Sequence, residues 1–191
     1  MNFKLILRIT GATLLIEAAT MAVPLGVALI YREDPLPFLM AIAVLLCLGL
    51  PLRFLLKSGR AFFAREGFCA VALIWVLLSA FGALPFWFSG QFGSYVDCLF
   101  ETASGFTTTG STILTAIEGL PYGLLFWRSF THWLGGMGVL ILAVALLPSL
   151  GVSSTFLIRA ESPGPIASKL VPKASQSSKI LYSIYLALTV I

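Results

Sequence analysis

Four long apolar stretches, over residues 9–31, 38–56, 67–88 and 124–147, constrain this chain more than any other feature. Each approaches or exceeds the roughly 20 residues that a helix needs to cross about 30 Å of hydrocarbon. A fifth stretch opens near Ile180 and reaches Ile191, the last residue, before it is long enough to span, which suggests a chain cut inside a further helix. Charged residues make up only 10% of the 191 positions, against roughly 25% in an ordinary soluble domain. The fold class expected is therefore an all-α integral membrane protein. The first stretch is too long for the apolar region of a signal peptide and contains Glu17 and Pro24, so it is expected to be a true span, kinked at the proline.

Orientation follows the placement of Lys and Arg in short loops. Lys4 and Arg8 precede the first span, Arg53, Lys57, Arg60 and Arg65 lie between the second and third, and Arg159, Lys169, Lys173 and Lys179 follow the fourth. They alternate with segments carrying Arg32, Glu33 and Asp34, and Asp97, Glu101 and Glu118. This pattern puts the N-terminus in the cytoplasm. The cations sit at span ends without an interleaved aromatic platform, which speaks against nucleic acid as a partner and for membrane lipid. Cys47, Cys69 and Cys98 are isolated, with neither metal-ligand spacing nor a disulfide framework, and read as small packing residues. His132 is the one histidine and reads as an interior hydrogen-bonding residue rather than a metal ligand. Arg128 is expected to pair with Glu101 or Glu118, or to snorkel. Gly135, Gly136 and Gly138 read as a helix-dimer motif, though without GxxxG spacing, or equally as close packing against the loop between the third and fourth spans, and Trp75, Trp87, Trp127 and Trp133 read as interfacial or packing aromatics. No nucleophile with a base, metal cluster or phosphate loop points to an enzyme: residues 105–112 lack the lysine of a phosphate-binding loop and the spacing of a nucleophile elbow.

The informative region lies between the third and fourth spans, where about 35 residues leave and return to one side of the membrane. Residues 95–104 read as a short amphipathic helix with Val96, Leu99, Phe100 and Ala103 on one side, Ser94 as N-cap and Asp97 completing an approximate capping box. Such a helix cannot span, but it can dip into the membrane and stop where protein or a water cavity satisfies the backbone beyond it. That backbone is Gly105-Phe106-Thr107-Thr108-Thr109-Gly110-Ser111-Thr112. Threonine disfavours further helix, and Gly110 permits a conformation closed to residues with a Cβ. A short helix, an extended Thr-Thr-Thr-Gly and then a full span is the layout of a re-entrant pore helix with a filter loop. Rings of backbone carbonyls there replace the hydration shell of a cation, and the helix directs its negative end toward the ion path. The competing reading is a non-transporting membrane scaffold in which Thr107 to Gly110 form a plain turn. Glu17, a carboxyl at membrane depth, is either a packing group or a functional one.

The run Phe100-Glu101-Thr102-Ala103-Ser104-Gly105-Phe106-Thr107-Thr108-Thr109-Gly110-Ser111-Thr112 resembles the first pore loop and filter of TrkH-type potassium uptake proteins, of the Trk/Ktr/HKT superfamily. Leu120-Pro121, Trp127-Arg128, Trp133-Leu134-Gly135-Gly136-Met137-Gly138 and Leu147-Pro148 resemble the helix after that filter. Arg159-Ala160-Glu161-Ser162-Pro163-Gly164-Pro165 is similar to the cytoplasmic linker beyond it. The resemblance implies an N-terminal hairpin (1–66), a first helix, pore loop, helix repeat (67–152), a cytoplasmic linker (153–179) and the start of a second repeat (180–191). It implies potassium coordinated by backbone carbonyls of Thr108 and Thr109, with Thr107, Gly110 and Ser111 completing one quarter of the filter. It further implies potassium as the transported ion with no organic cofactor, the bacterial inner membrane as location, a homodimer, and a cytosolic TrkA-type nucleotide-binding regulatory subunit.

Overall fold

The computed structural model describes residues 3–54, 64–146 and 174–190. Its helices are α1 (Phe3–Thr20), α2 (Ala22–Ile30), α3 (Leu36–Phe54), α4 (Ala64–Gly82), α5 (Leu84–Phe88), α6 (Tyr95–Phe106), α7 (Tyr122–Leu146) and α8 (Ala174–Val190). No strand occurs among the described residues. Their contacts divide into two units, residues 1–133 and 134–191.

In the first unit, three stretches are long and apolar enough to cross a membrane: Ile6–Ile30, Leu36–Phe54 and Cys69–Phe88. The first is α1 and α2 together. Pro24 has no N–H to offer the carbonyl one turn upstream, and the helix is interrupted at Met21 while bonds on either side continue, Met21 N–H to Glu17 O at 3.0 Å and Leu25 N–H to Met21 O at 3.2 Å. The expected effect of Pro24 is thus a local break. α4 and α5 make the third span in the same way, with Ala83 in helical geometry between them and Pro85 at the start of α5.

α1 and α3 pack as a hairpin whose buried residues include Leu14, Ala18, Phe38, Ala41 and Leu45. Large apolar side chains such as Ile16, Ile30, Leu46, Leu48 and Phe54 point outward. That distribution suits helices solvated by lipid, where interiors select small and hydrogen-bonding groups instead of simply apolar ones. The cysteines follow it only in part: Cys98 is buried, whereas Cys47 and Cys69 are exposed and so are not packing residues in this bundle.

α7 runs for 25 residues, about 37 Å at 1.5 Å per residue. In the second unit, a Cβ built on Gly136 would lie 2.7 Å from the Tyr185 hydroxyl of α8. The neighbour that requires a small residue at Gly136 is therefore α8. The linker expected over 153–179 falls largely outside the described residues, as do Lys57, Arg60, Arg159, Lys169 and Lys173.

Candidate functional site

The site begins at the N-terminus of α6. Ser94 has extended geometry, and its hydroxyl accepts the Asp97 N–H at 3.2 Å, the N-cap expected from sequence. The helix then runs to Phe106, two residues past the expected end at Ser104. Its apolar side is the outward one, with Val96 and Phe100 exposed, while Cys98, Glu101, Thr102, Ser104, Gly105 and Phe106 face the bundle. Gly105 lets α6 approach α7: a Cβ there would clash with Thr131 Oγ1.

α6 ends in two crossed bonds. Thr108 N–H reaches Gly105 O and Thr109 N–H reaches Ser104 O, both at 2.9 Å, the pattern of a helix closed by one left-handed residue. That residue is Thr108, at φ 57°, a conformation costly for a β-branched side chain. The extended segment therefore starts at Thr109 and not at Thr107, whose N–H still bonds Ala103 O. The expectation that the threonines leave the helix at once is corrected here, because Thr107 and Thr108 satisfy two helix-end carbonyls first.

Beyond the cap the hydrogen bonds are selective. Thr107 O accepts the Thr108 hydroxyl at 2.7 Å, and Ser111 O accepts the Ser104 hydroxyl at 2.7 Å. The carbonyls of Thr108, Thr109 and Gly110 accept no hydrogen bond among the described residues. Gly110 sits at φ 76°, open to glycine at little cost. Residues 107–113 are exposed. Three successive carbonyl oxygens are thus left bare just past the negative end of α6.

Glu101 holds this loop in place. It is 1% exposed; its Oε1 accepts the Thr112 hydroxyl and the Ile113 N–H at 2.7 Å, and its Oε2 accepts Arg128 Nε at 2.9 Å. One buried carboxylate ties the pore-helix candidate, the far arm of the loop and α7 together; burial pushes its pKa up, but the Thr112 hydroxyl, the Ile113 N–H and Arg128 together hold it below the usual carboxylate value. Of the partners considered for Arg128, the structure selects Glu101. The sequence signal was Glu101, the one acid in the short helix beyond its capping turn, and a single arginine within the following span, but nothing in the spacing named Thr112 and Ile113 as further donors. His132 Nδ1 lies 2.9 Å from Arg128 O, the interior hydrogen bond anticipated for it. Trp127 is fully buried and donates Nε1–H to Gly82 O at 2.9 Å. Trp87 is 45% exposed and meets Tyr95 edge-on.

A second carboxylate escaped sequence reading. Glu33, in the turn between α2 and α3, accepts the N–H groups of Tyr122 at 2.6 Å and Gly123 at 2.8 Å and so caps α7. Among the described residues no cluster of His, Cys, Asp and Glu could hold a metal ion.

Membrane-length helices flanking a short helix whose C-terminal loop bares its carbonyls define the class: a multi-pass helical membrane protein with a re-entrant helix and loop. The profile of the TrkH family, described as cation transport protein, matches residues 37–191, and the chain belongs to that family. Over 197 aligned residues it is 42% identical to the Trk system potassium uptake protein TrkH of Escherichia coli K12, covering all of this chain and 40% of that protein. TrkG of the same organism is 34% identical over 188 residues, covering 96% of this chain and 39% of TrkG. The crystal structure of the potassium transporter TrkH from Vibrio parahaemolyticus superposes with a TM-score of 0.82 at 36% identity, covering the whole of this chain and 38% of that one. The chain thus spans about 40% of the length of these relatives.

Proposed function

We propose that this chain contributes one quarter of the selectivity filter in the pore-forming subunit of a Trk-type system that takes potassium into bacteria across the inner membrane. The observation that carries the reading is the row of unpaired carbonyls at Thr108, Thr109 and Gly110, held open by the Glu101 clamp. Carbonyl oxygens replace hydration water around a cation without trapping it by formal charge. Thr108 and Thr109 coordinate the ion, Gly110 supplies the turn that lets their oxygens face it, and Thr107 and Ser111 anchor the two arms. Potassium is cargo here, and the chain's work is conduction rather than catalysis. The relatives, named as potassium uptake proteins, support the choice of ion.

In this reading residues 1–66 form the N-terminal hairpin and residues 67–152 the first repeat, with the N-terminus in the cytoplasm as the Lys and Arg pattern implies. The complete transporter works as a homodimer with a cytosolic nucleotide-binding regulatory subunit. The test is rubidium entry and growth at low potassium in a bacterium lacking its own uptake, expressing the full-length gene product with Gly110 intact or as Gly110→Ala. Rescue that is lost on substitution supports the pathway. Unchanged uptake with Gly110→Ala at equal membrane expression would remove the filter from this loop and favour the scaffold reading.

A further inference from the structure

Glu17, midway along the first span, is 2% exposed, and neither oxygen of its carboxyl has a hydrogen-bond partner. It stands where three helices meet. A Cβ built on Gly82 of α4 would lie 3.0 Å from Glu17 Oε1, 2.8 Å from Thr102 Cγ2 and 2.9 Å from Phe106 Cε2, the last two on α6. The carboxyl of α1 therefore occupies space beside Gly82 of α4, which has no side chain, against two residues of the pore-helix candidate. Phe106 is the last helical residue before the loop.

Among the described residues no cation makes an ion pair with Glu17. On α1 itself, Lys4 and Arg8 lie at least two turns earlier, and α2 has no ionisable residue. On α3, Cys47 is exposed and Arg53 lies in the last turn. On α4, Arg65, Glu66 and Cys69 lie in the first turns, far from Gly82. On α6, the Tyr95 hydroxyl is donated to Ala80 O at 2.6 Å, the Cys98 thiol to Ser94 O at 3.4 Å, Asp97 is in the first turn, and Glu101 is paired with Arg128. Glu101 shows what an ionised buried carboxylate in this bundle requires: three donors, one of them a cation. Glu17 has none, and a bare charge there would be strongly unfavourable.

We propose that Glu17 is a proton-binding site behind the pore helix, occupied near neutral pH, and that its proton allows α1 and α4 to close on α6. Loss of the proton sets a charge against Thr102 and Phe106, separates the hairpin from the pore helix and lowers uptake. The binding site stands on its own geometry; its effect on uptake rests on the function proposed above.

Infrared spectroscopy of the purified full-length gene product, wild type against Glu17→Gln, tests the site without any transport assay. A carbonyl stretch of a protonated carboxylic acid is expected near neutral pH in the wild type, absent from Glu17→Gln and bleached as pH rises. Absence of any band that depends on Glu17 overturns the site. Rubidium uptake against pH then tests its effect: wild-type uptake falls by up to about tenfold per pH unit beyond the bleaching point, while Glu17→Gln, neutral and of the same shape, keeps its uptake. Parallel decline in both proteins overturns the coupling even where the band is present. Glu17→Met serves as the second uncharged variant, with the same expected outcomes, should the amide fail to reach the membrane. A titrating band in a protein that moves no rubidium at any pH sinks the transport reading and the coupling, and leaves the proton site standing.

Discussion

Two turns in this molecule end their helices identically and then part ways. After α2, Arg32 takes the left-handed position at φ 58°, with Arg32 N–H on Leu29 O at 3.2 Å and Glu33 N–H on Ala28 O at 2.8 Å. After α6, Thr108 takes it at φ 57°, with the same crossed pair of bonds. In the turn after α2 the next side chains bind other backbone: Glu33 caps α7, and Asp34 accepts the Leu36 N–H at 2.9 Å to start α3, while the carbonyls of Arg32, Glu33 and Asp34 accept no hydrogen bond among the described residues. In the loop after α6 the next carbonyls are equally bare, but the far arm of the loop is held by Glu101, itself paired with Arg128. The shared cap shows that the local fold of both turns is ordinary helix termination. What sets the second apart is the clamp that holds its bare carbonyls just past the negative end of a short helix.

The largest expected effect separates the two anchoring carboxylates. Glu101→Ala strands Arg128 and frees Thr112 and Ile113; removing one partner of a buried pair costs about 3–5 kcal/mol, and uptake should fall by orders of magnitude. Glu33→Ala removes only a helix-end interaction of about 0.3–1 kcal/mol and should leave uptake near wild type. Equal losses in rubidium uptake from the two substitutions would break the comparison. Next, Gly105→Ala pushes a methyl into Thr131 Oγ1 and should destabilise the detergent-solubilised protein by about 1–3 kcal/mol, read as a lower thermal midpoint. Adding Thr131→Ala should recover part of that loss. The smallest effects sharpen the contrast most: Arg32→Gly and Thr108→Gly each relieve a left-handed residue worth about 1–2 kcal/mol and should both raise thermal stability. Only Thr108→Gly should alter ion selectivity, because in the proposed function only there does the backbone face the ion path.

Much of this was legible beforehand. The spans follow from apolar length, and the N-cap at Ser94 from a hydroxyl three residues before Asp97, because both signals are local. Thr-Thr-Thr-Gly between two spans singled out the exposed loop after α6, the segment proposed as the filter. What escaped was set by the detail of one helix cap and by tertiary contact. Whether Thr107 still belonged to the helix depended on the capping bonds from Thr108 and Thr109, which threonine propensity argues against. The role of Glu33 needed α7 to be placed against a turn nearly ninety residues earlier in the chain. The outward side of α6 follows from lipid as solvent, where Val96 and Phe100 are tolerated outside and Glu101 needs an interior partner.

In the proposed function the carbonyls of Thr108 and Thr109 hold the permeating ion. Anomalous diffraction from crystals of the full-length gene product soaked in rubidium should then show a peak within coordination distance of those two oxygens, lost in Gly110→Ala. A peak elsewhere along the path, with these oxygens hydrogen-bonded to protein instead, would contradict that reading.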